Sequence, residues 1–266
     1  MSEGNEPMVS EQHVLTSVSG AIARLTLNRP EVGNSLSEDL VKALRAELDI
    51  LQERAEIKVI ILAGAGSRIF CAGHDLNEFA GQEDQEILRQ DFAGLTGLMQ
   101  QIMAQRQIVI AQIEGVATAA GCELVAACDL ALASARARFA VPGVNIGFWC
   151  HTPQVQLART IGRKQAMMML TTGRMFPAAH ALAIGLINEV HEPEQLEEAV
   201  TSLALEIASK AASVLKLGKE SFAAQTGKSV DDAYALARSN ALANLQHDDA
   251  KEGIAAFLEK RQPRWQ

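Results

Sequence analysis

The chain has 266 residues, enough for one large domain or for one domain with a helical appendage. Hydrophobic residues make up 48% of it and charged residues 21%, which is ordinary globular usage and predicts a substantial core. The formal net charge of -8 argues against a nucleic-acid partner, because nucleic-acid-binding surfaces are basic. No apolar run approaches membrane-spanning length, so we expect no membrane partner either.

The first thirteen residues, 1–13, are acidic and polar, and they are predicted to be flexible. They lack the apolar run of a secretory signal and the Arg-rich character of a transit peptide, so a cytoplasmic protein is expected. The cysteines lie in apolar or small-residue surroundings, with no Cys-x-x-Cys pair: Cys71, Cys122, Cys128 and Cys150. This usage favours reduced, buried thiols over disulfides, and no metal site is expected.

Short apolar strands then alternate with helices. Residues 14–18 and 21–27 are predicted to form a hairpin, and Ser35-x-x-Glu38 is a candidate capping box for the helix that follows. Further strands are predicted at 58–63, 108–113 and 130–133, and helices at 85–107 and 123–128. From residue 192 to residue 260 the pattern is almost wholly helical. We therefore predict an α/β core over residues 14–200 and a helical region over residues 201–266.

Two turns of small residues follow apolar, strand-like runs: Ala72-Gly73-His74 and Ala119-Ala120-Gly121. Glycine permits backbone geometry that other residues resist, so the N–H after Gly73 is predicted to point outward. The second turn precedes a helix, whose N-terminus favours negative charge. Each turn alone is typical of an ordinary strand-to-helix connection. Together they can aim two N–H groups at one oxyanion, which favours acyl-thioester chemistry.

Glu123 is a carboxylate in a segment otherwise made of Ala, Gly, Cys, Leu and Val. Burial there would raise its pKa toward that of a general base. The alternatives are a helix first-turn glutamate or a partner of Arg136 or Arg138. Two imidazoles suit proton transfer, those of His74 and His151. For His74 the backbone is predicted to matter more than the ring, and His151 alone is typical of a hydrogen-bonded loop residue.

Several segments, in order along the chain, resemble the crotonase, or enoyl-CoA hydratase/isomerase, family. They run from about residue 14 to the C-terminus and include Leu27-Asn28-Arg29-Pro30, Phe70 to Leu76, Ala119 to Leu124, Phe139-Ala140-Val141-Pro142, Ala181 to Gly185 and Glu252 to Arg261. The resemblance implies an α/β, crotonase-like spiral of ββα units with a C-terminal helical trimerisation region, often as a dimer of trimers. It implies a homotrimer or homohexamer acting in fatty acid metabolism, with no separate cofactor, because coenzyme A is part of the acyl-CoA thioester substrate.

The resemblance also implies roles for particular residues. The thioester carbonyl would lie between the N–H groups of His74 and Ala120, and Glu123 matches the first of the two catalytic glutamates of the hydratases. Coenzyme A contacts would fall on Val32, Gly33, Ala72, His74, Asp75 and Leu76, and on Phe257 and Lys260 of a neighbouring subunit.

The chain departs from the family's pattern at Gly143, where the hydratases have their second catalytic glutamate and the isomerases their base. The first hypothesis is an enoyl-CoA hydratase-type lyase in which Glu123 activates water. The second is isomerisation, decarboxylation or thioester cleavage through His151, which occupies a loop position where other members place a catalytic acid. The third is an acyl-CoA-binding protein with attenuated activity.

Overall fold

Two β-sheets form the core of the computed structural model, which describes residues 12–266. The strands of this part of the chain are β1 (Val14–Ser19), β2 (Ile22–Leu27), β3 (Val59–Gly64), β4 (Ile69–Cys71), β5 (Ile108–Ile113), β6 (Val116–Thr118), β7 (Leu130–Ser134), β8 (Arg138–Ala140), β9 (Phe176–Pro177) and β10 (Glu189–His191). The larger sheet has the order β1-β2-β3-β5-β7-β10 and the smaller sheet β4-β6-β8-β9. Every pairing is parallel except β1 with β2 and β8 with β9, so helical crossovers join most strands.

The helices cover the faces of these sheets. They are α1 (Glu38–Gln52), α2 (Gln85–Ala104), α3 (Ala120–Ala127), α4 (Pro153–Thr160), α5 (Arg163–Thr172), α6 (Ala178–Ala183), α7 (Leu196–Ala208), α8 (Ala212–Gln225), α9 (Val230–Gln246) and α10 (Asp248–Leu258). In α1 the residues Leu40, Leu44, Leu48 and Leu51 are buried, as their helical spacing predicts. The predicted helix at 123–128 begins earlier, at Ala120.

The predicted capping box at Ser35 is wrong. The residue that caps α1 is Ser37, whose hydroxyl oxygen accepts a hydrogen bond from the Leu40 N–H at 3.3 Å. The Ser35 hydroxyl instead donates to Asp75 Oδ2 at 3.1 Å. A long-range polar contact therefore moves the start of the helix by two residues.

The helical C-terminal region has two parts. Helix α7 packs on the larger sheet through the buried residues Leu196, Val200 and Ala204, and the predicted division near residue 200 falls inside it. Helices α8 and α9 have no buried residue in the isolated chain. The second part therefore begins with α8, which contacts β5 and pairs with Asp129 through Lys219 at 2.6 Å.

The remaining expectations about the chain concern its N-terminus, its cysteines and membranes. The segment predicted to be flexible, 1–13, lies outside the described residues apart from Gln12 and His13. All four cysteines are free, and three of them are buried. Across residues 12–266 no helix has both the length and the apolar character needed to cross a bilayer.

Candidate active site

The two small-residue turns pack directly against each other. Gly73 has φ +98°, and a Cβ added there would lie 2.8 Å from both the Ala119 Cβ and the Thr118 carbonyl oxygen. A Cβ on Gly121 would lie 2.2 Å from the Cys71 carbonyl oxygen. Both glycines are therefore required by the close approach of the two backbones, and Gly73 also by its left-handed conformation.

The N–H of His74 is left free by the local pairing. The Leu36 N–H donates to the Gly73 carbonyl at 2.7 Å, and the Leu36 carbonyl accepts the Asp75 N–H at 3.2 Å. Leu36 therefore bonds to the two neighbours of His74 and leaves the N–H of His74 itself without a partner in this bridge. No acceptor for the His74 N–H is present among residues 12–266. A rigid turn therefore presents one unpaired amide.

The second unpaired N–H belongs to Ala120, the first residue of α3. Its neighbour Ala119 has φ +49°, an unusual value for a residue with a side chain, and is fixed by donating its N–H to the Ala140 carbonyl at 2.9 Å. The first N–H groups of a helix have no intrahelical acceptor. In the described chain Ala120 has no other acceptor either.

Both donors line one cavity of about 270 Å³. Its walls are mostly apolar, with Phe79, Phe92, Leu95 and Phe148 among them. Apolar walls with a few convergent polar groups are typical of a small-molecule site. The structure thus brings together the two turns that the sequence singled out.

Glu123 lies behind this cavity in the first turn of α3, with 2% of its surface exposed. Burial raises the pKa of its carboxyl to about 7, although a hydrogen bond from the cavity-lining Thr152 opposes that shift. Its Oε2 is buried with no hydrogen-bond partner in the described residues. The alternative of an ion pair with Arg138 is wrong, because that guanidinium donates to the carbonyls of residues 135–137. The result is a carboxyl poised to exchange a proton near neutral pH.

Gly143 is enclosed by its own loop. A Cβ added there would lie 2.4 Å from the Phe148 carbonyl oxygen and 2.8 Å from the Cys150 Sγ. Cys150 also lines the cavity, and burial raises the pKa of its thiol, which keeps it neutral. The loop therefore occupies the space that a longer side chain at 143 would need.

His151 lies at the rim of the cavity. The residue is exposed, and its ring packs edge-on to Phe148 with the ring centroids 6.0 Å apart. Its backbone N–H donates to the Trp149 carbonyl at 2.8 Å. The side chain is near enough to the cavity to meet a ligand, but it stands in a solvated position.

One polar group of the site, the Asp91 carboxylate, was not predicted from the sequence. Asp91, on α2, has its Oδ2 2.7 Å from the His74 Nε2, and the two side chains are 15% and 10% exposed. Phe79 and Phe92 enclose the imidazole, with ring centroids 4.2 and 5.7 Å from it. Nothing in the local sequence marks Asp91, because its position depends on how α2 lies against the turn.

The residues predicted to contact coenzyme A fall into two places. Val32, Gly33 and Leu76 lie beside the Ala72 turn, where the Ala72 N–H donates to the Gly33 carbonyl at 2.9 Å and Leu76 is 55% exposed. Phe257 and Lys260 lie at the end of α10, where Phe257 is 82% exposed.

Asp75 has a structural environment. Its carboxylate is buried and forms an ion pair with Arg29 at 3.1 Å. Burial alone would raise the pKa of Asp75, but the hydrogen bonds from Asn77, Arg29 and Ser35 outweigh it and hold that pKa below its ordinary value. Its side chain is therefore committed to holding the turn.

The model of the family described as enoyl-CoA hydratase/isomerase matches residues 17–266. The chain therefore belongs to this enzyme family. It is 42% identical over 256 residues to the mitochondrial enoyl-CoA hydratase domain-containing protein 3 of Danio rerio, covering 96% of this chain and 88% of that protein. The predicted resemblance to the family is confirmed.

Solved structures show the same fold. The crystal structure of human enoyl-CoA hydratase domain-containing protein 3 matches with a TM-score of 0.93 and 38% identity, over 95% of this chain and 100% of that one. An enoyl-CoA hydratase from Mycobacterium smegmatis matches with a TM-score of 0.93 and 40% identity, over 96% and 99%. The predicted fold, an α/β crotonase-like spiral with C-terminal helices, is thus confirmed.

The expectation of a cytoplasmic protein is contradicted by these relatives. The relatives from Danio rerio, Rattus norvegicus and Homo sapiens are all named as mitochondrial. The composition of the first residues was the basis for that expectation, and it proved to be a poor guide to location.

Proposed function

We propose that the protein is an enoyl-CoA hydratase-type lyase, adding water to the double bond of an enoyl-CoA thioester. The observation that carries this proposal is the pair of unpaired N–H groups, on His74 and Ala120, in one cavity with the buried carboxyl of Glu123 behind it. Membership of the enoyl-CoA hydratase/isomerase family supports it.

In the proposed reaction the thioester oxygen accepts hydrogen bonds from the His74 and Ala120 N–H groups. Glu123 takes a proton from water as the water oxygen bonds to the β-carbon, and the electrons of the double bond move onto the thioester as an enolate. A proton added at the α-carbon completes the product. Removing one such oxyanion donor from an enzyme costs about 10²–10³ in rate, so the two turns supply much of the catalysis.

The adenine nucleotide end of the substrate is proposed to lie outside the cavity, against Val32, Gly33 and Leu76. Exposed apolar side chains at Val32 and Leu76 offer surface for it. We further propose that the chain self-associates as a trimer or dimer of trimers, which would bring Phe257 and Lys260 of a neighbouring subunit to the same ligand.

The surface of the C-terminal helices supports this association. Large apolar side chains there are more than half exposed in the isolated chain: Phe222, Val230, Tyr234, Leu242, Phe257 and Leu258. An apolar surface of this kind is typical of an interface. Light scattering coupled to size-exclusion chromatography would give the mass, and a monomer at micromolar concentration would contradict the association.

The test of the reaction is the variant Glu123→Gln. Turnover of crotonyl-CoA, followed by loss of the enoyl absorbance, is expected to fall by at least about 10²-fold, because general acid–base groups contribute that much. Calorimetric binding of a saturated acyl-CoA should be retained, since the two N–H donors are intact. Undiminished hydration by the variant would refute the role given to Glu123.

A second candidate follows from Gly143 and His151 together. Because Gly143 supplies no carboxyl, His151 at the cavity rim is a proton donor or acceptor for isomerisation, decarboxylation or thioester cleavage. Turnover of a panel of enoyl-, dienoyl- and malonyl-type CoA thioesters, with products identified by mass, separates these reactions from hydration. Unaltered turnover of the best substrate by His151→Ala would eliminate this candidate. Tight binding with no turnover of any thioester would indicate an acyl-CoA-binding protein instead.

A further inference from the structure

The site needs a second proton-transfer group, and Gly143 cannot be its source. The collision of any side chain at 143 with the Phe148 carbonyl, at 2.4 Å, shows that the loop itself has closed over this position. In the proposed hydration Glu123 serves the water at the β-carbon. The proton that reaches the α-carbon is still unassigned.

The imidazole of His74 is attached to the residue whose N–H faces the thioester oxygen. The α-carbon is bonded to the thioester carbonyl carbon, so a thioester held by this N–H has its α-carbon in the cavity that His74 lines. The ring lies among cavity walls, edge-on to Phe79 and Phe92. Its Nε2 is turned to Asp91, so Nδ1 is the nitrogen that remains for a ligand.

Asp91 and His74 form a partly buried pair whose contacting atoms make no hydrogen bond. The Nε2–Oδ2 distance is 2.7 Å, but the contact is not aligned as a hydrogen bond, and Oδ2 has no other donor in residues 12–266. A buried carboxylate oxygen without a donor is costly. A proton on Nε2, with a small rotation of either side chain, satisfies it.

The two residues of this pair line different cavities: His74 lines the site cavity and Asp91 lines a second one. Asp91 lines an outer crevice of about 240 Å³ together with Glu38, Glu78 and Gln82. The charged groups that face His74 are Asp91 from α2 and Glu78, whose Oε2 is 3.9 Å from Nε2. His74 thus lies between the cavity and an acidic, open crevice, which is the arrangement a group needs to renew its proton.

We infer that the His74 imidazole is the catalytic group that exchanges a proton with the α-carbon, and that Asp91 is its positioning residue. This inference rests on the proposed hydration. When the enolate collapses, the imidazolium of His74 gives its proton to the α-carbon and becomes neutral. Glu123 then holds the proton taken from water, and exchange with solvent deprotonates Glu123 and reprotonates His74, so one water is consumed and the enzyme is unchanged.

His151 is the weaker candidate for this role. It is exposed, whereas the His74 side chain is 10% exposed and has a carboxylate at 2.7 Å. An imidazole enclosed by two aromatic rings and paired with a carboxylate is more restricted in orientation than an exposed one, and proton transfer at carbon requires a defined orientation.

The experiment measures exchange of the α-protons of butyryl-CoA in D₂O by mass spectrometry, a reaction that needs the oxyanion hole and an α-carbon base but no water addition. His74→Asn should slow this exchange by at least about 10²-fold. Glu123→Gln should lose hydration of crotonyl-CoA but keep the exchange. The matched control is His191→Asn, because His191 forms a similar pair with Glu189 at 2.7 Å, on β10 and away from the cavity.

A second set of variants covers the case in which His74→Asn folds poorly. Asp91→Asn should slow the exchange, and Asp91→Glu, which keeps the carboxylate, should restore most of it. Exchange at the wild-type rate in a folded His74→Asn protein would overturn the inference while leaving hydration by Glu123 intact. Loss of exchange on adding a chelator would also overturn it, since His74, Glu78 and Asp91 would then be acting as ligands of a metal ion.

Discussion

The raised pKa of Glu123 predicts how stability depends on pH. Burial raises the pKa of this carboxyl from 4.5 to about 7 in the folded protein. Between these values the folded protein holds a proton that the unfolded chain has released. Holding this proton stabilises the folded protein. The stabilisation is fully present below about pH 4.5 and is lost as the pH rises through about 7, where the buried carboxyl ionises. A shift of this size corresponds to about 3 kcal/mol.

The perturbation is Glu123→Gln, which removes the titrating group and keeps the shape. The unfolding free energy of the variant minus that of the wild type should rise by about 2–3 kcal/mol from about pH 5 to about pH 8. The cost of burying the glutamine amide lowers the unfolding free energy of the variant by the same amount at both pH values. The change in the variant-minus-wild-type difference between the two pH values therefore reports only the ionisation of the Glu123 carboxyl. Urea unfolding at one protein concentration would measure it.

The matched control is Glu206→Gln, at an exposed position on α7. It makes the same chemical change without removing a buried carboxyl, so its unfolding curve should follow the wild type at both pH values. If Glu123→Gln and the wild type differed by the same amount at both pH values, Glu123 would not be the titrating buried group, and its assignment as general base would lose its physical basis.

Three further substitutions test the frame of the site. Gly143→Glu should destabilise the protein by about 1–3 kcal/mol through overpacking against the Phe148 carbonyl and should add no hydratase activity, as thermal unfolding and a crotonyl-CoA assay would show. Gly73→Ala should lower hydration by about 10²-fold, because the collision with Ala119 displaces one oxyanion donor. Asp75→Asn should lose on the order of 2 kcal/mol near neutral pH, and less as the pH falls through the pKa of Asp75, which unfolding at several pH values would detect.

For each of these three substitutions, one outcome would contradict the prediction. Gly20→Ala is the control for Gly73→Ala, because Gly20 also has a positive φ, +58°, but no atom within 4 Å of an added Cβ. Equal loss of hydration in both variants would mean that strain rather than collision is responsible. A Gly143→Glu protein as stable as wild type would show that the loop opens freely. A loss at Asp75 that is the same at every pH would exclude its ionised carboxylate as the cause.

The parts of the fold that follow from local apolar pattern were predictable. The strand at residues 108–113 is observed with the predicted bounds, because six mostly apolar residues in a row favour a buried strand. The helix before it was predicted to reach residue 107 but ends at Ala104. The amides of Gln105 and Gln107 donate to the carbonyls of Leu48 and Leu51, which pulls the chain out of the helix.

The candidate site was also predictable only where its residues are close together in the sequence. Its two turns and Glu123 carry their signal in consecutive residues, so the sequence sufficed to select them. The contact of His74 with Asp91 and the closure of the loop over Gly143 depend on how separate elements pack. Pattern within one segment contains no information about such contacts.

The unpaired amides of His74 and Ala120 have a consequence for hydrogen exchange. Beside them, the Asp75 N–H donates to the Leu36 carbonyl and the Ala119 N–H donates to the Ala140 carbonyl, so each free amide adjoins a protected one. In the empty protein these two positions should exchange with solvent deuterium far faster than their neighbours. Binding of a thioester should slow them selectively, which would report occupancy of the oxyanion hole without any turnover.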